Sequence, residues 1–295
     1  MKQMITSPAS SITKAASKQT YYTIRFLVDR ARVDDAYRAY AYFRWIDDLI
    51  DQVALEKSER VAFIDRQKAI MDSCYRGQQP GHLVTEEHML ANLILADQEK
   101  NSGLQSYIRN MMAVIDFDAR RSERLISRLE LTRYSRSLAG AVTEALHYFI
   151  GHGKSSPQNG ARYLAATGAH ITHMLRDTME DIQAGYFNIP REYLAAKGIG
   201  PQDVESDPYR AWVQERANLA RACFKFGKGY LAQVENIRLR IAGYAYVARF
   251  EGVLDAIEML DYRLASEYPQ SRGLGARMRM RGSVLSLAFF PPTRK

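Results

Sequence analysis

Between its nine prolines the chain sets apolar residues three and four apart over long stretches and almost never alternates them. That spacing covers one face of a 3.6-residue helix and does not line a two-residue strand. The prolines fall between such stretches, as do turn-like breaks at residues 77–81 and 151–157. Helices are therefore expected at roughly 17–30, 33–53, 57–76, 84–98, 101–117, 122–151, 159–185, 209–240 and 243–267. The fold class is all-α. No repeat, low-complexity linker or shift in composition marks an internal boundary, so one helical domain is expected over 17–268. A flexible segment, 1–16, precedes it and a basic tail, 269–295, follows it.

Hydrophobic residues make up 46% and charged residues 25% of the 295, which supports a real core and excludes disorder as the main state. Cys74 and Cys223 are the only cysteines, too few for a disulfide scaffold. No apolar stretch approaches the roughly 18–20 residues of a membrane span. The first twenty residues are rich in Ser, Thr and Lys and lack the apolar centre of a signal peptide, so a cytoplasmic location is expected. The formal charge is +8, carried mostly by arginine. These arginines are scattered over most helices with no binding module among them, so no nucleic-acid partner is expected. The tail sets Arg272, Arg277, Arg279, Arg281, Arg294 and Lys295 among Leu274, Met278, Phe289 and Phe290. Such a segment either lies on an anionic membrane surface, at its inner face, or frays without packing.

Chemistry is concentrated in two acidic runs. In Arg44-Trp45-Ile46-Asp47-Asp48-Leu49-Ile50-Asp51, Asp47 and Asp51 share a helix face with Asp48 beside them. The same face, extended backwards, carries Arg44 and Tyr40. The second run holds His173, Asp177 and Asp181 at four-residue steps, with Arg176 and Glu180 alongside. Like charges at this spacing repel by a few tenths of a kcal/mol per pair, and a divalent cation with oxygen ligands is the natural compensation. Alone, either run also fits a solvated acidic face. Together they suit Mg²⁺, with Mn²⁺ as a substitute, and the arginines suit bidentate binding of phosphate oxygens.

With these residues in view, the chain resembles the squalene/phytoene synthase family of head-to-head prenyltransferases over about residues 17–265. The first run matches the family's first aspartate motif, and the second matches at Arg176, Asp177, Asp181, Gly185 and Pro190. Between them, residues 130–134 and 138–144 look like the family's tunnel-lining helix. Thr20-Tyr21-Tyr22 stands where the family contacts its first substrate, and Phe250 falls near a family tyrosine. The resemblance implies a single helical bundle of the isoprenoid-synthase type with a central cavity. It implies Asp47, Asp48, Asp51, Asp177 and Asp181 as metal ligands, joined by His173, with Arg44, Arg176, Tyr21 and Tyr40 on the diphosphate. Tyr134 would stand at the reacting centre, where an aromatic face stabilises a carbocation.

The implied activity is Mg²⁺-dependent condensation of two prenyl diphosphates. Geranylgeranyl diphosphate going to phytoene, a carotenoid precursor, is the first expectation. Farnesyl diphosphate going to presqualene diphosphate, dehydrosqualene or squalene is the alternative, with NADPH needed only for squalene. A non-catalytic relative serving as an assembly factor is a reading of another class, and loss of the metal aspartates would mark it. Monomer and homodimer both remain open.

Two departures stand out. His173 replaces the family's asparagine, and Gly185-Tyr186-Phe187-Asn188-Ile189-Pro190 replaces its Gly-Arg-x-Tyr-Leu-Pro. They leave metal and diphosphate binding in place and the second half-reaction open. The face formed by Tyr134, Leu138, Ala141, Val142 and Ala145 fits a prenyl lining or plain helix packing. Glu144-Ala145-Leu146-His147 matches half of a di-iron motif that requires a second copy, and none is present. His82, His88, His152 and His170 have no metal-like spacing and are assigned to surface or core.

Overall fold

The computed structural model describes residues 7–50 and 56–268. Asp51 and the basic tail lie outside the described residues. Among the described residues eleven α-helices follow one another: α1 (Pro8–Ala16), α2 (Lys18–Leu27), α3 (Val33–Ile50), α4 (Lys57–Tyr75), α5 (Thr85–Ala96) and α6 (Gly103–Arg121), then α7 (Arg128–Ile150), α8 (Leu164–Gln183), α9 (Arg191–Lys197), α10 (Asp207–Leu231) and α11 (Ile237–Met259). No strand occurs among the described residues. The helix starts are set by short polar side chains. Ser7 caps α1 just before Pro8, Ser17 caps α2 by accepting from the Thr20 N–H at 3.1 Å, and Asn236 caps α11. Ser127 and Glu130 exchange bonds at the start of α7, each holding the other's backbone N–H.

Three boundaries differ from the sequence expectation. Residues 8–16 form a helix packed on α3, with Ala9 and Thr13 buried, rather than part of a flexible segment. The stretch expected as one helix over 209–240 stops at Leu231, and α11 begins afresh at its Asn236 cap. Helix α9 is too short to leave a legible period.

The described residues group into two compact units, and neither is one continuous piece of sequence. The first takes Met1–Arg120 and Glu144–His152, and the second takes Arg121–Thr143 and Gly153–Lys295. The chain changes unit within α7, which is why no linker composition marks a boundary.

In the first unit α3 packs against α1, α2 and α5, and α4 against α5. A buried polar network ties α3, α4 and α5 together. The Tyr42 hydroxyl donates to Gln67 Oε1 at 3.0 Å, and Gln67 Nε2 donates to Glu87 Oε1 at 2.8 Å. Arg66 closes the network with a fork onto Glu87. Burial would raise the Glu87 pKa, but the bonds from Arg66, Gln67 and the Val84 N–H outweigh it and hold the carboxyl below its ordinary value. A fully satisfied network of this kind locks the position of α3, and with it the first acidic run.

In the second unit α8 packs most extensively on α10, and both contact α11. The close approach of α8 and α10 depends on glycine. A Cβ on Gly227 would stand 2.6 Å from the backbone nitrogen of Ala165, and one on Gly168 would stand 2.9 Å from the Phe224 ring. Gly227→Ala should therefore lower stability by about 1–3 kcal/mol, because backbone must shift to admit the methyl group. Gly229, on the same helix, faces open space. Its change to alanine should be neutral or stabilising by up to about 1 kcal/mol. Urea midpoints of the two variants check this, and equal effects would contradict the close-approach account.

Candidate active site

On α3, eight side chains from Ala36 to Ile50 are buried in the core of the first unit. Tyr40, Arg44, Asp47 and Asp48 share the face left partly open. Arg44 Nη1 donates to Asp47 Oδ2 at 3.3 Å, and its Nη2 donates to Asp48 Oδ1. The bond to Asp48 is the main cause of the raised Arg44 pKa. Tyr21 belongs to α2. It is buried, its ring stacks on Tyr37 at 5.5 Å, and its carbonyl accepts from the Tyr37 hydroxyl at 3.2 Å. In this arrangement it packs α2 onto α3.

On α8 the polar residues follow the spacing read from sequence. Arg176 forks onto its neighbour Asp177, with Nη2 2.7 Å from Oδ2. The same oxygen accepts from His173 Nε2 at 3.0 Å. Desolvation lowers the His173 pKa while Asp177 pulls the other way, and the ring donates to Asp177 through Nε2–H. Its edge faces Phe250 at 6.4 Å. Asp181 Oδ2 accepts from Asn188 Nδ2 at 2.6 Å. The expected cost of clustered carboxylates is thus already offset by donors within each run, before any cation is considered.

Around this helix the second unit gathers residues that spacing alone did not single out. Tyr134 of α7 sits edge-on to His170 at 5.1 Å, and the Arg121 guanidinium lies 4.9 Å over the Tyr134 ring. His170 is 3% exposed and neither ring nitrogen has a partner. It lies three residues before His173, on the face that carries Asp177 and Asp181. Burial, with His173, Arg216 and Arg121 nearby, pushes its pKa down to about 3. Along α7, Tyr134, Leu138 and Val142 are half-buried and Ala141 is fully buried. The sequence signal for His170 was its place in the α8 period. No local signal marked Arg121.

Among the described residues no three His, Cys, Asp or Glu side chains close into a metal cage. Mg²⁺ does not require one, because it takes one or two carboxylates and completes its shell with water and phosphate oxygens. Asp47 and Asp48 on α3, and by itself Asp177 on α8, offer hard oxygens with side chains 50%, 54% and 21% exposed, the donor type that such an ion takes.

The profile of the squalene/phytoene synthase family matches residues 13–279. A phytoene synthase of Thermus thermophilus is 28% identical over 144 residues, covering 47% of this chain and 48% of that protein. A presqualene diphosphate synthase of Zymomonas mobilis is 24% identical over 196 residues, covering 66% of this chain and 64% of that protein. The chain therefore spans from about half to just under two thirds of the length of these relatives. A squalene synthase structure from Alicyclobacillus acidocaldarius superposes with a TM-score of 0.69 at 19% identity, covering 87% of this chain and 94% of that one. A dehydrosqualene synthase in complex with a ligand gives 0.70 at 17%, covering 94% of each chain. At such identities the likeness carries the fold, and the all-α expectation of the isoprenoid-synthase type holds.

The depressed His170 pKa has a measurable consequence. Above about pH 6.5 the ring is neutral in both folded and unfolded chains. Below that value the unfolded chain binds a proton that the folded chain refuses until about pH 3, so stability falls with pH over this window. Relative to wild type, His170→Leu should lose about 2 kcal/mol less between pH 7 and pH 5. Denaturant titrations at the two pH values check it, and parallel losses would place His170 in a solvated setting.

Proposed function

The chain belongs to the squalene/phytoene synthase family, and from that premise we propose that it is a prenyltransferase joining two allylic prenyl diphosphates head to head. The observation that carries the reading is the repetition, on α3 and on α8, of an arginine locked to an adjacent aspartate pair or single aspartate. A guanidinium has five N–H donors. Arg44 and Arg176 each spend two groups on their carboxylates and keep others for diphosphate oxygens. The carboxylates hold each fork in place beforehand, so little side-chain entropy is lost when the anion arrives.

Mg²⁺ is the proposed cofactor; Asp47 and Asp48 on α3, with Asp51 added by sequence spacing, and Asp177 and Asp181 on α8 are the carboxylates proposed as its ligands, each run taken by itself. When bound, it would draw charge from the departing diphosphate. His173 would act on Asp177 as a hydrogen-bond donor, a role that its 3.0 Å contact favours over direct ligation. Tyr134 would present its ring to the allylic cation. The apolar half-buried face of Leu138 and Val142 would accept prenyl chain and exclude water from it.

Geranylgeranyl diphosphate is the proposed substrate, going to a phytoene-type product. A second reading, farnesyl diphosphate going to the cyclopropylcarbinyl stage, draws support from the Zymomonas relative, whose match reaches 66% of this chain. It also fits Asn188 and Tyr186, which are engaged in holding their own unit together. NADPH enters only where squalene is made.

Incubation with Mg²⁺ and each diphosphate, followed by product analysis, should show diphosphate release and a coupled hydrocarbon or cyclopropyl diphosphate from at least one substrate. No turnover of either, together with no metal-dependent diphosphate binding, would overturn the enzyme reading. Asp177→Asn keeps an oxygen acceptor for Arg176 but removes the charge. It should cut turnover by about a hundredfold or more, while the melting temperature stays within about 4 °C. Full activity in that variant would remove Asp177 from the site.

A further inference from the structure

Residues 185–190 form a turn whose place is fixed by backbone before any side chain contributes. The Glu123 N–H donates to the Gly185 carbonyl at 2.9 Å, and the Arg191 N–H donates to the Ile126 carbonyl at the same distance. Gly185 takes φ +80°, and a Cβ there would meet Glu123 Cγ at 3.2 Å, so glycine is required. The Tyr186 N–H reaches back to the Asp181 carbonyl at 2.7 Å. The segment after α6 and the turn after α8 are thereby clamped to each other at both ends.

Within this clamp a guanidinium, an amide and a carboxylate stand in series. Arg121 Nη1 donates to Asn188 Oδ1 at 2.8 Å, and Asn188 Nδ2 donates to Asp181 Oδ2 at 2.6 Å. The amide has only one orientation that serves both neighbours, because arginine can only donate and a carboxylate can only accept. Arg121 is 4% exposed, and its guanidinium lies over two rings, Tyr134 at 4.9 Å and Tyr186 at 5.1 Å. A buried guanidinium held by two aromatic faces and a bond to an amide has little freedom to turn.

We propose that Arg121, acting through Asn188, is a positioning residue that orients the Asp181 carboxylate for a divalent cation. The inference rests on the reading of Asp181 as a metal ligand. The interposed amide gives the series its use. A guanidinium bonded straight to Asp181 would fix the carboxylate but compete with a cation for its charge. A neutral amide fixes the oxygen that it bonds and leaves the charge on it. Arg121 and Asn188 would then govern metal affinity without being ligands. Tyr186 and Asn188, the two departures from the family pattern in this turn, serve the same series, one as the ring under Arg121 and one as its link to Asp181.

The test measures Mn²⁺ affinity of the full chain in the presence of inorganic diphosphate, by counting free Mn²⁺ in electron paramagnetic resonance titrations. Asn188→Ala should weaken Mn²⁺ binding about tenfold or more, the usual effect of removing a partner of a metal ligand. Arg121→Met should do the same. The double variant should be no weaker than the worse single one, because the two residues act in series. Since Arg121 is buried and its variant can lose the fold, Asn188→Ala, at a half-buried turn position, decides the matter on its own. The side-chain amide protons of Asn188 should exchange slowly in the metal-free wild type and faster in Arg121→Met. Folded Asn188→Ala with wild-type Mn²⁺ affinity would overturn the positioning role and leave the enzyme reading standing. A wild-type protein that binds no Mn²⁺ would overturn the metal reading and the positioning role with it.

Discussion

Carboxylates spaced four apart on a helix repel one another, and a chain that carries two such runs must supply something to offset the cost. Here the chain supplies it locally. Arg44 holds Asp47 and Asp48, Arg176 and His173 hold Asp177, and Asn188 holds Asp181. The acidic runs are consequently pre-ordered rather than merely tolerated. On the proposed reading, a ligand that brings phosphate oxygens would find the arginines already fixed, and a cation would find carboxylates whose rotamers are already chosen. The remaining features of the site serve to keep these few bonds in register.

That register comes from packing on the opposite faces of the two helices. Helix α3 is anchored by a buried network in which Tyr42, Gln67, Glu87 and Arg66 satisfy one another. Such a network tolerates no sliding, since a lost bond leaves a buried polar group unpaired. Helix α8 is anchored differently, by glycines that let it meet α10 at backbone distance. Close packing restrains translation and rotation of the helix, so the face bearing His170, His173, Asp177 and Asp181 is determined by the face that is buried.

Two buried bases behave unlike their solvated counterparts. His170 is neutral because burial and nearby positive groups disfavour its cation, and it stands beside Tyr134 with two ring nitrogens unpartnered. Arg121 is buried and steadied by aromatic faces. The environment of Tyr134 is thus electropositive on one side and neutral on the other, a division that belongs to the tertiary arrangement and to no single motif.

The sequence by itself determined the all-α class, most helix centres and the two acidic runs, because these follow from the period of side chains along a single helix. It also carried the family resemblance, since motif and spacing lie within short stretches. It missed α1, a short helix with few large apolar residues that packs on α3. It held no sign that the Tyr21 ring stacks against Tyr37. Arg121 and Asn188 are 67 residues apart, and His170 meets Tyr134 from another helix. Contacts of that kind depend on which segments are brought side by side. Only the tertiary structure decided them, through the backbone clamp at Gly185 and the glycine-dependent packing of α8, and one-dimensional spacing holds no record of either.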